Sequence, residues 1–340
     1  MSHVINLLLA AAFVLGAACS GREAGPVETA AAEPEKKAVP EKPAPPQTPD
    51  DFRAELESRG IAFTREEFAR QIADGNLENV EYFLAAGMDA RWTDDAGGSP
   101  LILAVKKGNP AIVRLLVAAG ADAAAKQGSG KTLLEAALQN GKGEIALLLI
   151  EKGAAVNPDE ACIVDNEGLL SSSCGMTPLA LAASSGDSAS VKALVEKGAN
   201  VNIRDSESGR TALELAIHNK HYAAAKVMIE KGFDINSLET AALLSLVAEE
   251  KIELLQMILA AGYSPDVRYH LDGRTMLIEA CVLEKAQVVK LLLDHGADKT
   301  LEDDQDLTAM KAAKKAGNKQ IIELISAAPK PGAEESPDPD

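Results

Sequence analysis

The chain has 340 residues, of which 46% are apolar and only 3% aromatic, so a core would be built from Ala, Leu, Ile and Val. Residues of this small or straight-chain kind favour closely packed helices over strands. The net charge of −17 argues against non-specific binding to nucleic acid and against docking on anionic lipid through a basic face, because both need a positive surface.

The first residues are predicted to be a signal peptide, residues 1–18, and not part of the fold. Residues 4–15 form an apolar run, shorter than the roughly 20 residues that span a bilayer, and Gly16-Ala17-Ala18-Cys19 follows it. A Cys directly after small residues resembles the lipobox of bacterial lipoproteins, in which the signal is cut before the Cys and the Cys is diacylated. The resemblance implies a lipid anchor at Cys19 and, because Ser20 follows, sorting to the outer membrane. The alternative is ordinary cleavage after Ala18, which leaves Cys19 unmodified.

Residues 19–50 are predicted to form a disordered tether. They are rich in Ala, Pro, Glu and Lys and have almost no large apolar residues, so they cannot bury enough surface to offset the entropy of ordering. Together with the anchor, such a tether would hold the following domain on the periplasmic face of the cell envelope. The tail, residues 329–340, is acidic and Pro-rich and is also predicted to be disordered.

Two sequence marks recur in phase between residues 51 and 328. The first is a Gly followed by a small step and often by Asp or Asn, with gaps of 33, 33, 45, 34, 30 and 34 residues; it occurs at Gly87, Gly120, Gly153, Gly198, Gly232, Gly262 and Gly296. The second is a Gly or Asp shortly before a Ser or Thr and then Leu or Met, at Gly98, Gly130, Gly175, Gly209, Gly273 and Asp306. Two independent marks in phase indicate a structural repeat.

Each unit is predicted to contain two short helices. Thr or Ser is placed to cap the first helix, with Pro100 and Pro178 at its first position, where a missing N–H costs nothing. A Gly or Asn ends that helix, at Gly108, Gly141, Gly186 and Asn219. The first unit starts near Thr64, where Thr64-x-x-Glu67 predicts a capping box.

These units resemble the ankyrin repeat family, which has a period of about 33 residues and a Thr-Pro-Leu-His motif. The resemblance covers residues 51–328, in about eight units, and implies an all-α solenoid of paired antiparallel helices with hairpin-like linkers. The unit around residues 238–262 is the shortest and lacks the Gly-x-Thr mark. In every copy the His of the family motif is replaced by another residue.

One gap is longer because of an insertion near residues 157–174, which holds Cys162 and Cys174 and has no counterpart in the other units. In an exported protein this pair favours a local disulfide, whereas two free thiols are expected if the protein is cytosolic. Cys281, by contrast, stands where other units have Ala, so it is predicted to be a buried apolar residue.

Two features look like ligand-binding motifs. Gly128-Ser129-Gly130-Lys131-Thr132 is similar to the end of a phosphate-binding loop, but Ala125 stands where that loop needs its first Gly, and the repeat register accounts for the sequence. His218 and His221 are three residues apart, yet they lie at a predicted break between helices, and no further ligand completes a metal site. We therefore predict no enzyme activity and no cofactor or metal.

The family resemblance implies binding of proteins through hairpin tips and the inner helices. The predicted function is a membrane-tethered protein-binding module, a scaffold or regulator in the cell envelope, with a protein partner, no nucleic acid, and membrane contact through the lipid anchor alone. The candidate contact residues are those at predicted tips: Trp92, Arg204, Asp205, Arg268, Tyr269, His270, Asp303 and Asp304. The alternatives are a structural spacer without a specific partner and an enzyme with its site in the insertion or in the irregular unit.

Peptide mapping of the mature protein without reduction tests the disulfide. We expect Cys162 and Cys174 in one cross-linked peptide pair, because closing so short a loop stabilises the fold by about 3 kcal/mol if the gain is entropic. Cys281 is the internal control and should be recovered as a thiol after unfolding. Recovery of both insertion cysteines as free thiols would contradict the pairing.

Overall fold

The computed structural model describes residues 46–95, 97–128, 130–157, 175–206, 208–235, 238–269 and 272–329. All seventeen regular elements in these ranges are α-helices. None of them has the length and apolar composition that crossing a membrane requires. The predicted signal peptide, Cys19, the tether before residue 46, the insertion cysteines Cys162 and Cys174, His270 and the tail from residue 330 lie outside the described residues.

Sixteen of the helices form eight consecutive pairs, and one helix, α1 (Pro49–Ser58), precedes them. The first helices of the pairs are α2 (Arg65–Asp74), α4 (Pro100–Lys107), α6 (Leu133–Gln139), α8 (Pro178–Ser185), α10 (Ala212–His218), α12 (Thr240–Ala248), α14 (Met276–Val282) and α16 (Ala309–Ala316). The second helices are α3 (Leu77–Ala85), α5 (Pro110–Ala118), α7 (Gly143–Glu151), α9 (Ser188–Glu196), α11 (Tyr222–Glu230), α13 (Ile252–Ala260), α15 (Ala286–Asp294) and α17 (Lys319–Ala327).

The pairs stack so that helices of the same kind pack on one another. Each first helix contacts the first helix of the next pair, and each second helix contacts the next second helix, which produces two rows. Both rows continue across the chain segment that carries the insertion, since α6 contacts α8 and α7 contacts α9. Helix α1 contacts α3 and so extends the row of second helices at its start. The predicted all-α helical solenoid is therefore confirmed.

Hydroxyl caps start the first helices. In seven of the eight pairs a Thr or Ser oxygen accepts a hydrogen bond from the backbone N–H three residues later, at Thr64, Ser99, Thr132, Thr177, Thr211, Thr275 and Thr308. The predicted capping box at Thr64 is only half formed. Thr64 accepts from the N–H of Glu67 at 3.2 Å, but the Glu67 carboxylate accepts from Arg70 and Gln71 instead of returning to Thr64.

The shortest unit keeps both of its helices but begins differently. Its N-cap, Glu239, makes no side-chain capping bond. The backbone N–H of Glu239 instead donates to the carboxylate of Glu214 in the preceding pair, at 2.8 Å. Glu214 is buried and also accepts from the N–H of Thr211 at 2.8 Å. The start of α12 is thus fixed by its neighbour, because Glu239 and not a Ser or Thr stands at the N-cap position.

A left-handed residue follows each first helix. It is Gly in five pairs, at Gly75, Gly108, Gly141, Gly186 and Gly317, but Lys220, Glu250 and Glu284 adopt φ of 63°, 53° and 57° in the other three. A side chain in this region costs about 1 kcal/mol relative to Gly. The predicted helix break at Asn219 is therefore displaced by one residue: Asn219 has φ of −85°, and Lys220 makes the turn.

One continuous apolar cluster runs through both rows, from Leu56 in α1 to Ile325 in α17. The residues of this cluster are mostly Ala, Leu, Ile and Val, as the composition indicates. Phe68 and Phe83 pack against each other near its N-terminal end. Cys281 is fully buried within it, and this burial raises the pKa of its thiol to about 12. The thiol is thus a core group that stays protonated.

Polar side chains tie neighbouring pairs together at the ends of the helices. The Lys142 ammonium, just before α7, donates to the carbonyls of Val105 and Lys106 at 2.9 and 2.7 Å. On the opposite side of the stack, Asn157 donates to the Gly198 carbonyl at 3.0 Å and accepts from the N–H of Asn200 at 2.7 Å. Such bonds satisfy backbone groups that a helix end leaves unpaired, and they fix how one pair sits on the next.

Replacing Lys142 by Met tests this role. The substitution keeps the apolar stem and removes the donor, so we expect the free energy of unfolding to fall by about 1 kcal/mol. The measurement is urea unfolding followed by circular dichroism. Lys107→Met is the matched control, because Lys107 is exposed at the end of α4 and no hydrogen bond of its side chain is present among the described residues. Equal stability of the two variants would contradict the assignment.

Candidate functional site

Short hairpins precede the first helices and confirm the predicted hairpin-like linkers. In four units the two arms meet in an isolated antiparallel bridge, and the pairs are Lys126 with Thr132, Arg204 with Thr211, Arg268 with Thr275, and Glu302 with Thr308. Each bridge ends at the Thr that caps the following helix. The hairpin and the helix start therefore form one rigid unit.

Two predicted contact residues, Asp205 and Asp303, are buried inside their hairpins. The Asp205 side chain accepts hydrogen bonds from the N–H of Ser208 at 2.8 Å and of Arg210 at 3.2 Å. Asp303 accepts from the N–H of Gln305 and of Leu307, both at 2.9 Å. These carboxylates hold the turn in shape, which corrects the expectation that they face a partner.

Tyr269 is the third correction. It occupies the place in its hairpin that Asp205 and Asp303 occupy in theirs, and its N–H donates to the Arg274 carbonyl at 2.9 Å. Only 6% of the residue is exposed, and its hydroxyl has no hydrogen-bond partner among the described residues. Burial raises the pKa of that hydroxyl. The Tyr269 ring lies inside the hairpin, where the hairpins of Asp205 and Asp303 have a carboxylate. Tyr269 is therefore not a surface anchor.

The two predicted arginines link successive hairpins. Arg204 donates to the Gly209 carbonyl at 3.0 Å and lies 3.8 Å from the carboxylate of Glu239 in the next pair. Arg268 donates to the Gly273 carbonyl at 3.2 Å and to the Glu302 carbonyl of the next hairpin at 2.7 Å. Both guanidinium groups therefore already serve the fold.

The other predicted contacts differ in accessibility. Trp92 is half-buried, its indole N–H lacks a hydrogen-bond partner among the described residues, and the Arg65 guanidinium lies 5.9 Å from its ring centre. Asp304 is exposed. His270 lies outside the described residues. Of the predicted tip residues, Asp304 and Arg268 are thus the exposed ones, although the Arg268 guanidinium already donates to two backbone carbonyls.

A groove that the sequence analysis missed lies between α4 and α6. It has a volume of about 390 Å³, and Ile102, Val105 and Ala136 give it an apolar floor. Lys106 and Lys131 line it as well, and we call it the lysine groove. No Asp or Glu is among the described residues that line it. The signal available in the sequence was the pair Lys106-Lys107 directly before the left-handed Gly108, where no other described pair has two basic residues.

The phosphate-loop-like segment contributes to this groove but is not a phosphate cradle. The N–H of Gly130 donates to the Gln127 carbonyl, and the N–H of Gln127 donates to the Lys131 carbonyl, both at 2.8 Å. The N–H of Thr132 donates to the Glu135 carboxylate at 2.8 Å. A phosphate site needs such N–H groups free, and a carboxylate already occupies the helix start. The segment is a hairpin in repeat register, as predicted.

Two exposed apolar residues mark a second place on the row of first helices. Val282 and Leu283 are 39% and 37% exposed, and they are the only large apolar side chains in the described ranges with such exposure. They come directly before the left-handed Glu284, as Lys106 and Lys107 come before Gly108. The same register position therefore carries two lysines in one pair and two apolar residues in another.

The two histidines do not share a helix. His218 ends α10, and His221 is the N-cap of α11. The His221 ring lies over Gly186 of the preceding pair, where an added Cβ would be 2.6 Å from the imidazole Nδ1. Among the residues with described positions, no cluster of three or more His, Cys, Asp or Glu has the arrangement of a metal site.

Comparison with known families gives one match. The family model described as ankyrin repeats, in three copies, matches residues 68–160, 161–239 and 243–334, which is more than half of the chain. None of the curated proteins compared with the chain matches it significantly.

The buried Asp303 makes the last hairpin sensitive to acid. Burial alone would raise the pKa of its carboxyl, but hydrogen bonds from the N–H of Leu307 and Gln305 and from Arg274 outweigh this and hold the pKa below its ordinary value. The stabilisation is therefore complete above the unfolded-state pKa of about 4 and is lost as the pH falls through the folded-state value. We expect the unfolding free energy of Asp303→Asn to fall less steeply between about pH 5 and pH 3 than that of the wild type, in urea titrations at each pH.

Asp304→Asn is the matched control, since Asp304 is the exposed neighbour and no hydrogen bond of its side chain is recorded in the described part of the chain. It should keep the wild-type slope. The assignment is wrong if the Asp303 variant keeps that slope too.

Proposed function

Since the chain belongs to the ankyrin repeat family, whose members are typically non-enzymatic protein-binding scaffolds, we propose that it binds a protein partner while tethered to a membrane of the cell envelope. The observation that carries the binding role is the row of first helices, which presents an open groove and an exposed apolar pair. Folding alone does not account for either feature. The role is that of a scaffold or regulator.

The exposed pair Val282 and Leu283 favours a binding module over a plain spacer. The described part of the stack buries its other large apolar side chains wholly or in part, so leaving these two in water gives the isolated chain no advantage. Exposed apolar residues framed by polar ones are typical of contact surfaces. A spacer needs only a polar exterior.

Tethering is supported by the order of the segments at the start of the chain. The apolar run of residues 4–15, the small residues before Cys19 and the Pro-rich stretch up to residue 50 follow the order of a lipidated, tethered protein. A single acyl chain binds membranes weakly, whereas two chains on one Cys suffice for stable anchoring. We propose the periplasmic side of the envelope, at the outer membrane, as the location.

Cross-linking in intact cells followed by affinity capture of the full chain tests this function. We expect one or a few proteins enriched over an unrelated lipoprotein, and at least about fivefold less of them with Val282→Ser combined with Leu283→Ser, because removing an apolar anchor costs more than about 1 kcal/mol. The control is Gln287→Ser combined with Lys290→Ser, on exposed positions of α15 in the same pair. If the wild-type chain and the unrelated lipoprotein capture the same proteins in equal amounts, the chain is better explained as a structural spacer.

Fractionation of the same cells separates tethering from binding. The wild-type chain should sediment with membranes, and Cys19→Ala should appear in the soluble envelope fraction. If the Cys19 variant sediments as the wild type does, lipidation at this residue is not the anchor.

A further inference from the structure

We propose that the lysine groove binds an acidic, extended segment of the protein partner, with an apolar side chain on its floor and carboxylates at Lys106 and Lys131. The proposal rests on the protein-binding function proposed above and names the chemistry of the partner. The apolar pair Val282 and Leu283 is not part of it.

The shape of the groove suits a short stretch of extended chain. At about 390 Å³ it falls at the lower end of the range for pockets that hold a small ligand, which is enough for a few side chains but not for a helix. Two hairpins flank it, through Gly98 on one side and Gly128 on the other.

The charge of the groove is the opposite of that of the chain. The protein has 51 acidic and 34 basic residues, yet no Asp or Glu is among the described residues that line this groove. The Lys106 side chain makes no hydrogen bond or ion pair among the described residues, and Lys131 is bonded only to the amide of Gln139, at 3.2 Å. Both lysines are exposed, so the attraction comes from two neighbouring ammonium groups acting together on one acidic segment.

Some lysines elsewhere in the described stack are neutralised by acids. Lys220 pairs with Glu249 of the next helix pair, and Lys311 pairs with Glu302. The ion pair is available within the chain at those places, so a partner's carboxylate would gain little there. Among the described lining residues of the lysine groove there is no such acid, which leaves the pairing to a partner's carboxylate.

The wall of the groove is fixed before any partner arrives. The Lys142 ammonium holds the carbonyls of Val105 and Lys106, and its stem covers Gly108, where an added Cβ would lie 3.1 Å from the Lys142 Cε. The end of α4, and with it Lys106, is therefore held in place. A site formed in advance loses less entropy on binding.

The donors favour a carboxylate over a phosphate. The backbone N–H groups of Gln127 and Gly130 are taken by carbonyls of their own hairpin, and the N–H of Gly98 donates to the Asp94 carboxylate at 2.5 Å. Phosphate sites rely on several convergent N–H groups, which these bonds use up. The net charge of −17 repels a nucleic acid along its length, whereas salt screens charges beyond about 10 Å, so a short acidic segment is governed mainly by the lysines beside it.

Fluorescence anisotropy with the full chain and two peptides tests the proposal. One labelled peptide alternates Glu or Asp with Leu, and the other carries Gln and Asn in place of the acids. We expect the acidic peptide to bind at least about tenfold more tightly than the neutral one at low salt, with a difference that shrinks as salt rises. Lys106→Gln combined with Lys131→Gln should remove most of that difference.

Lys314→Gln combined with Lys315→Gln is the matched control. It makes the same change in net charge at exposed lysines of α16 that do not line the groove, and it should bind the acidic peptide as the wild type does. Equal weakening by both double variants would show attraction by charge alone and overturn the proposal. Inorganic phosphate that displaces the acidic peptide at concentrations where acetate does not would overturn it as well.

The result is separable from the proposed function. If the acidic peptide binds no better than the neutral one, and the Lys106 and Lys131 double variant still captures the cellular partner, the groove is not the docking site while the binding role stands. Loss of capture with this variant but not with the α16 control supports both.

Discussion

No pair of helices in this protein can bury its own apolar faces. The first helices have seven to ten residues and the second helices nine, lengths at which an isolated helix is unstable in water. Each pair also has apolar residues on two sides, so it is folded only when a neighbour covers them. The two rows of like helices are the direct consequence, and every other feature of the described fold is arranged around them.

The polar groups between pairs set the geometry of that stacking. Lys142 reaches the end of α4, Asn219 donates to Ser184 at 3.0 Å, and Arg268 spans to the next hairpin. Because apolar contact is not directional, it alone would not define how far one pair is shifted against the next. Hydrogen bonds to carbonyls at helix ends do define it. The helix ends therefore need a side chain that can form such a hydrogen bond in each unit, although the residue type differs from unit to unit.

The repeat could be predicted from sequence because its marks are local. A Thr that caps a helix and a Gly that ends it act within a few residues, so their spacing predicts the helix pairs, and the resemblance to ankyrin repeats implies the all-α solenoid. The burial of Asp205, Tyr269 and Asp303 could not be predicted, since it depends on how a hairpin folds over its own side chain and on the neighbour below it. The lysine groove was missed for the same reason: Lys106 and Lys131 lie 25 residues apart in sequence, and only stacking brings them to one groove.

The main helix–helix contacts in the described stack are between adjacent pairs. The lysine groove belongs to the second and third pairs, and the apolar pair Val282 and Leu283 belongs to the seventh, with three complete pairs between them. A ligand in the lysine groove changes no contact at Val282 and Leu283, so two separate ligands would bind at the two sites without cooperativity. If both sites belong to one partner molecule, however, the second attachment becomes intramolecular, and the avidity depends on the span that the partner has to bridge. The stack would then select among acidic partners by the distance between their two attachment points, because only a matching distance allows both to bind at once.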